Sequence, residues 1–288
     1  MRNSRFSILQ RILIKYRQFR YQGKNSSPFL SGDAFAEICD YSISRLSDLE
    51  NLKGKRLSGS SVFCRSELLP TLIDSLQADA RPRVLICGNS DFDFTEIPQG
   101  LYDHFDSIVL QNSFISDGEK IFTLPIGIEN LSYGINGLPK NLRSMSNWNA
   151  REPRILVGPF SPTHPERVHL LEAANDSSVC KVLSHNQLTS AQYSEYVNNY
   201  RFVAAPRGNG VDTHRFWEAL YRGAVPIVKR SPWSKSLSIY GIPYAEVDDW
   251  TANELSRVAN EWKLDGFDPK SIPSLWIGYW KSKLRLNE

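Results

Sequence analysis

The second half of the chain alternates short apolar runs with helix-like stretches. The apolar runs are continuous rather than alternating, which is typical of strands covered on both faces in a parallel sheet. The predicted strands lie at 154–157, 179–183, 202–205, 224–228 and 245–247. The predicted helices lie at 165–174, 191–198, 213–222, 233–240 and 252–262. Strict alternation with right-handed crossovers predicts an α/β fold with a doubly wound parallel sheet.

The first half carries similar apolar runs, which predict strands at 60–64, 84–87, 107–110 and 121–126, and a helix at 68–76. Residues 136–153 are rich in Asn, Pro, Gly and Ser, so we place a domain boundary there. We therefore predict a basic segment over 1–24, an N-terminal domain over 25–145 and a C-terminal domain over 146–288, whose last helix packs back on the body. Two Rossmann-like, doubly wound domains facing each other across a cleft would bind ligands at the carboxyl ends of their strands.

The positive charge of the chain is concentrated at one end. The net charge is +3, but residues 1–24 hold seven Lys/Arg and no Asp or Glu, which leaves 27 of the 34 basic residues against 31 acidic ones elsewhere. A body with this balance lacks the basic face of a general nucleic-acid binder, so we expect no nucleic-acid partner.

The basic segment also has a partly amphipathic pattern, with Leu9, Ile12, Leu13, Tyr16 and Phe19 on one arc of a helix. This pattern fits a helix lying on an anionic membrane surface, and equally an ordinary first helix packed on the body or a loose basic tail. No run approaches the roughly 20 apolar residues that span a bilayer, and no signal-peptide pattern occurs. The four cysteines are scattered, so we expect reduced thiols and a cytoplasmic protein. The membrane-surface alternative would place it on the inner face of the cytoplasmic membrane.

Polar chemistry gathers where the strand at 202–205 ends in a turn with two glycines, Gly208 and Gly210. These glycines permit left-handed backbone angles and close approach by a ligand. Asp212 or Thr213 then caps a helix whose free N–H groups make an anion site.

One side of that helix carries ionic residues. Arg215, together with Arg207 from the turn, could grip a diphosphate, and Glu218, about 5 Å further along the helix, could accept hydrogen bonds from ribose hydroxyls. The alternative is a solvated helix face with an internal His214–Glu218 pair.

The same segment resembles a known family. Residues 202–210, 212–220 and 223–228 (FVAAPRGNG, DTHRFWEAL and GAVPIV) are similar to the donor-binding signature of exostosin-like glycosyltransferases, in particular the branch that includes the ribitol xylosyltransferase family and its bacterial relatives. The similarity is dense over about 27 residues and weaker over 89–91 and 125–130.

The resemblance implies the GT-B fold, a nucleotide sugar held by the C-terminal domain, a diphosphate held by Arg207 and Arg215, and ribose held by Glu218. The chain is shorter than most relatives and lacks their lumenal anchor, so we expect a bacterial enzyme of cell-surface polysaccharide synthesis. Its partners would be a nucleotide-sugar donor and a glycan or lipid-linked acceptor.

We expect an inverting reaction that needs no metal or other cofactor, because helix N–H groups and arginines can neutralise the leaving diphosphate. Asp91-Phe92-Asp93 has the spacing of a metal-binding DxD motif, but we expect it to lie away from the donor phosphates. For the base that deprotonates the acceptor, Asp91 is our first candidate and Glu129 the second; either could equally be a turn residue or a helix cap. Arg167 could be a further phosphate contact or a solvated helix start.

The predicted donor site thus comprises the following residues: Arg167, Arg207, Gly208, Asn209, Gly210, Asp212, Thr213, His214, Arg215 and Glu218. Two alternatives remain open: a transferase that uses a CMP-activated acidic sugar, and a non-catalytic glycan- or nucleotide-binding protein of the same fold. An NAD-dependent dehydrogenase is disfavoured because no GxGxxG motif follows the first strands.

Overall fold

A computed structural model of the chain describes residues 24–52, 57–77, 81–133, 139–142, 145–184 and 188–284, together with residues 12, 15, 16, 19, 20 and 55. The predicted amphipathic segment over 1–24 lies mostly outside the described residues. Its five described positions before residue 24 are helical and exposed. Among the described residues, no helix combines the length and the apolar character that crossing a bilayer requires.

The N-terminal half forms a parallel sheet of five strands whose spatial order, β1-β2-β3-β4-β5, follows the chain. Its elements are α1 (Gly32–Glu37), β1 (Tyr41–Ile43), α2 (Leu46–Glu50), β2 (Ser61–Arg65), α3 (Leu69–Ser75), β3 (Val84–Gly88), α4 (Leu101–His104), β4 (Ser107–Gln111) and β5 (Ile121–Leu124). Strands β2 to β4 are buried along almost their whole length, as their continuous apolar runs predict.

The C-terminal half forms a second parallel five-stranded sheet, of order β10-β9-β8-β6-β7. Its elements are β6 (Glu152–Val157), α5 (Glu166–Asn175), β7 (Cys180–Val182), α6 (Ser190–Asn199), β8 (Tyr200–Ala204), α7 (His214–Tyr221), β9 (Val225–Lys229), α8 (Pro232–Ser236), β10 (Ala245–Val247), α9 (Ala252–Glu261) and α10 (Ile277–Lys283). The predicted helix at 233–240 is shorter, because a 3₁₀ turn over Leu237–Tyr240 follows α8. Two parallel-sheet α/β domains are present as predicted, and they fit the GT-B arrangement.

A single hydrophobic core joins the two halves. One face of the first sheet, with Phe63, Ile86 and Val109, packs in the same cluster as Trp217 of α7 and Trp280 of α10. The final helix contributes Trp280 to this cluster, and Tyr279 packs against it. Because an interface of this kind is extensive and apolar, it fixes the orientation of the two sheets.

Candidate active site

The C-terminal sheet has a point where its strand order reverses. Strand β6 is flanked by β7 on one side and by β8 on the other, so the loops that follow β6 and β8 diverge from a common crevice. A cavity of about 600 Å³ opens there, between these loops and the N-terminal half. Eleven of the twelve site residues predicted from the sequence line it: Asp91, Glu129, Arg167, Gly208, Asn209, Gly210, Asp212, Thr213, His214, Arg215 and Glu218. Arg207 is not among the lining residues.

Two arginines from different elements approach one phenylalanine ring in this cavity. The guanidinium carbon of Arg215 lies 4.7 Å from the ring centre of Phe160, and that of Arg167 lies 5.6 Å from it. Arg215 donates to the carbonyls of Gly158 and Pro159 at 2.8 and 2.7 Å. We call Arg167, Phe160 and Arg215 together the cationic cluster.

No described acidic side chain forms an ion pair with this cationic cluster, although Glu166 acts electrostatically on Arg167 and Glu218 on Arg215. Arg167 donates to the carbonyls of Arg207 and Ser161, both at 2.9 Å. Within the described part of the chain, neither Arg167 nor Arg215 forms an ion pair. Burial, and secondly the charge of Arg215, lowers the pKa of Arg167 to about 10. Two like charges held together without a counter-ion are suited to an anionic ligand.

Glu218 lies deeper, on the side of α7 that faces the cavity. It is 5% exposed, and its carboxylate accepts no hydrogen bond from the described residues. Burial, and secondly the nearby charge of Glu129, raises the pKa of Glu218 to about 7. A carboxylate from each half of the chain therefore faces the same cavity.

The alternative of a solvated helix face is wrong, because every residue of α7 from Phe216 to Tyr221 is buried. The internal His214–Glu218 pair does not form either: His214 Nδ1 lies 2.8 Å from the carbonyl oxygen of Gly127 instead. Arg222, which follows the helix, is 2% exposed and donates to the Asn141 carbonyl and to Ser194 Oγ, so its role is structural.

Asp212 stabilises the junction between the two halves. Its Oδ2 accepts the backbone N–H of Ile126, its Oδ1 accepts Trp217 Nε1–H, both at 2.8 Å, and its own N–H donates to Asn112. Burial raises the pKa of Asp212 to about 7, although these hydrogen bonds oppose the shift. Thr213 is the N-cap residue of α7 but forms no side-chain cap hydrogen bond, so the helix start keeps free N–H groups.

Gly208 and Gly210 do not use the left-handed angles that glycine permits, since neither residue has a positive φ. Both positions require glycine because side chains of the protein itself approach their Cα atoms closely. A Cβ on Gly210 would lie 2.5 Å from Asn112 Nδ2, and one on Gly208 would lie 2.7 Å from Arg167 Nη2. The glycines therefore allow the turn to pack between the N-terminal loops and the cationic cluster.

The expectation that Asp91-Phe92-Asp93 lies away from the predicted donor site is also wrong. Asp91 Oδ2 accepts a hydrogen bond from Asn209 Nδ2 at 3.1 Å, and Asp93 Oδ2 lies 2.5 Å from Arg207 Nη2. Arg207 lines a second cavity of about 110 Å³ and does not line the main cavity. No group of three His, Cys, Asp or Glu side chains suited to a metal ion occurs among the described residues.

Several site residues have no counterpart in the sequence-based prediction. Phe160 follows the Gly158-Pro159 pair at the end of β6, and a glycine–proline turn after a predicted strand is the signal that could have found it. Asn89 and Asn112, directly after β3 and β4, are the non-glycine residues with positive φ in the described part of the chain, at 55° and 54°. Such backbone conformations cluster at functional sites. Asn89 falls within the weaker resemblance over 89–91, whereas no pattern in the sequence marks Asn112.

The comparisons with known proteins add little to this geometry. No protein-family model and no curated protein matches the chain. Among solved structures, it is similar to AviGT4, a glycosyltransferase involved in avilamycin A biosynthesis. The identity is 12%, the match covers 83% of this chain and 87% of that one, and the TM-score is 0.38. This similarity is too remote for function to be inferred from it.

Proposed function

We propose that the protein is a glycosyltransferase that moves a sugar from a nucleoside-diphosphate sugar to a hydroxyl group of a glycan or lipid-linked acceptor. The observation that carries this proposal is the cationic cluster, whose two guanidinium groups have no acidic partner among the described residues and face a cavity at the reversal of the strand order. The start of α7, with its free N–H groups, lines the same cavity. Together they offer two charges and a helix dipole to a diphosphate.

Charge stabilisation is the main chemical contribution of this cluster. As the bond between the sugar and the diphosphate breaks, negative charge grows on the leaving phosphate oxygens. Fixed donors from Arg167, Arg215 and the first turn of α7 stabilise that charge without rearranging. Thr163 Oγ, a buried hydroxyl on the same cavity, has no hydrogen-bond partner in the described part of the chain and is a further donor to a phosphate.

Glu218 is suited to the ribose of the donor. Its carboxyl group is buried on the cavity and unpartnered among the described residues, so sugar hydroxyls would satisfy it. This placement orders the donor along the cavity, with ribose at Glu218, phosphates at the cationic cluster and the transferred sugar beyond them.

The same order favours Asp91 over Glu129 as the base of an inverting reaction. Glu129 acts electrostatically on Glu218 and so belongs to the ribose end. Asp91 contacts Asn209 of the glycine turn, which lines the same cavity as the cationic cluster. The base would accept the proton of the acceptor hydroxyl while that oxygen attacks the sugar carbon and the nucleoside diphosphate leaves.

A panel of UDP-, GDP-, TDP- and CMP-linked sugars in a thermal-shift assay tests the proposal, because a ligand of the native state raises the melting temperature. We expect stabilisation by one of the diphosphate classes and its loss in Arg215→Gln. Arg257→Gln, which changes an exposed arginine paired with Glu254 on α9, is the matched control. Stabilisation by CMP-sugars alone would favour the acidic-sugar alternative, and binding without transfer to any acceptor would favour a non-catalytic protein.

We also propose that residues 1–24 hold the enzyme at an anionic membrane surface. Ile12, Tyr16 and Phe19 are 59%, 54% and 80% exposed, so these three side chains of the apolar arc do not pack on the body. Sedimentation with anionic and neutral vesicles, before and after deletion of residues 1–24, tests this. Equal sedimentation of both proteins would contradict it.

A further inference from the structure

Arg207 is held in place at both its main chain and its side chain. Its N–H donates to Glu166 Oε1 at 3.3 Å, and its carbonyl accepts Arg167 Nε–H at 2.9 Å. Two consecutive residues of the chain thus fix the peptide groups of Arg207. Its guanidinium group reaches across to the N-terminal half, where Nη2 lies 2.5 Å from Asp93 Oδ2.

Asp93 holds both ends of the glycine turn with one carboxylate. Its Oδ2 pairs with Arg207, and its Oδ1 accepts the N–H of Val211 at 3.1 Å. The residues between these two contacts, Gly208 to Gly210, line the main cavity. The carboxylate therefore determines where that part of the cavity wall lies.

Breaking the ion pair between Asp93 and Arg207 is also energetically unfavourable. Its side chains are only 22% and 23% exposed, so a movement of Arg207 into the main cavity would leave a poorly solvated carboxylate without its cation. Arg167 and Arg215 already occupy the cavity side of the turn, and a third guanidinium would add to their repulsion.

We propose that Asp93 and Arg207 form a positioning pair that holds the glycine turn against the donor, and that Arg207 does not contact the donor diphosphate. This inference rests on the proposed function, since it assigns the wall of the proposed donor site. It also changes the role that the family resemblance implies for Arg207.

A double-mutant cycle separates the two roles. Asp93→Asn, Arg207→Gln and the double variant are compared with the wild type in affinity for the nucleoside diphosphate, in kcat and KM, and in melting temperature. For a positioning pair, each single change weakens diphosphate binding by a similar factor of about ten, and the double variant is no worse than either single one.

Two results would overturn the proposal. If Arg207 binds the diphosphate, Arg207→Gln loses far more affinity than Asp93→Asn, and the two effects add. If the pair only stabilises the fold, the melting temperature falls while affinity and kcat/KM stay at their wild-type values.

The exchanged pair, Asp93→Arg with Arg207→Asp, guards against variants that fail to fold. It can restore a bridge between the two loops but cannot restore a contact with the donor, so recovery of affinity relative to the single changes supports positioning. If the wild type binds no nucleotide at all, the proposed function fails and this inference falls with it. Coupling between the two residues in melting temperature would still be measured, so the two failures are distinguishable.

Discussion

Arg167 and Arg215 hold their guanidinium groups against the same ring, that of Phe160, although they come from different helices. Each donates to backbone carbonyls. The carbonyls and the ring fix both groups in position without an ion pair among the described residues. Such preorganisation lets a site stabilise a diphosphate without first releasing a salt bridge.

Arg167→Gln and Arg215→Gln are each expected to weaken binding of a nucleoside diphosphate by about 10- to 100-fold, the range for one charge-assisted hydrogen bond. Isothermal titration calorimetry measures this directly. Arg257→Gln, on the exposed side of α9, should bind as the wild type does. Unchanged affinity in both cluster variants would remove the cationic cluster from the donor site.

Glu218→Gln is expected to reduce the preference for ribonucleotides. If the carboxylate accepts hydrogen bonds from ribose, the wild type should prefer a ribonucleoside diphosphate to its 2′-deoxy form by about tenfold, and the variant should prefer it less. Competition binding with the two nucleotides measures the ratio. An equal ratio in wild type and variant would contradict the ribose assignment.

Stability should depend on pH through Glu218 and Asp212, whose carboxyl groups have pKa values raised to about 7 in the folded protein. Between the unfolded-state pKa values near 4 and about pH 7, the folded state keeps protons that the unfolded state has lost. Stability from these groups is therefore complete at low pH and falls as the pH rises toward 7.

Glu218→Gln removes one of those protons. Its free energy of unfolding should fall less steeply between pH 5 and 7 than that of the wild type, by about 1.4 kcal/mol per pH unit. Urea unfolding at several pH values measures the slope. Asp212→Asn is the contrasting variant: it should lower stability at every pH, because an amide nitrogen cannot accept the hydrogen bond of Ile126 or Trp217. Parallel curves for wild type and Glu218→Gln would contradict the raised pKa.

Gly210→Ala should be more damaging than Gly208→Ala. The added methyl group at Gly210 meets three atoms of the Asn112 amide within 2.7 Å, and that amide is fixed by hydrogen bonds to Ser90 and Asp212. At Gly208 the one close atom is Nη2 at the end of the Arg167 side chain, and the next lies 3.5 Å away, so a small shift of that end relieves the contact. We expect Gly210→Ala to lose about 1–3 kcal/mol of stability, and Gly208→Ala to lose donor affinity with little loss of stability. The reverse order in thermal unfolding would show that the packing of the turn is different.

Much of this architecture follows from local patterns. Strands such as β3 and β8 are continuous apolar runs and were predicted for that reason. The glycine turn before α7 was predicted to be a ligand site because the strand end, the turn and the helix start are contiguous in the sequence. Strand β1 was not predicted, because the prediction relied on apolar runs. It has three residues, of which only one is buried, and so forms no apolar run.

Contacts between distant parts of the chain were not predictable in this way. The Asp93–Arg207 pair joins residues 114 positions apart, and the resemblance assigned Arg207 to the donor because it could not show that contact. The sequence allowed two roles for the glycines, left-handed backbone angles and close approach, and the contacts with Asn112 and Arg167 show that close approach is the constraint. The residues predicted for the site were thus chosen from local patterns, while the partners of their side chains needed the tertiary structure.

The central claim, that the cavity holds a nucleoside diphosphate, is tested most directly by calorimetric titration of the wild type with the nucleoside, monophosphate, diphosphate and diphosphate sugar of one base. The affinity should rise by about tenfold or more with the second phosphate, and the diphosphate sugar should bind at least as well as the monophosphate. Equal affinity for the nucleoside and its diphosphate would contradict the account, and so would the absence of binding when the series is repeated with every base.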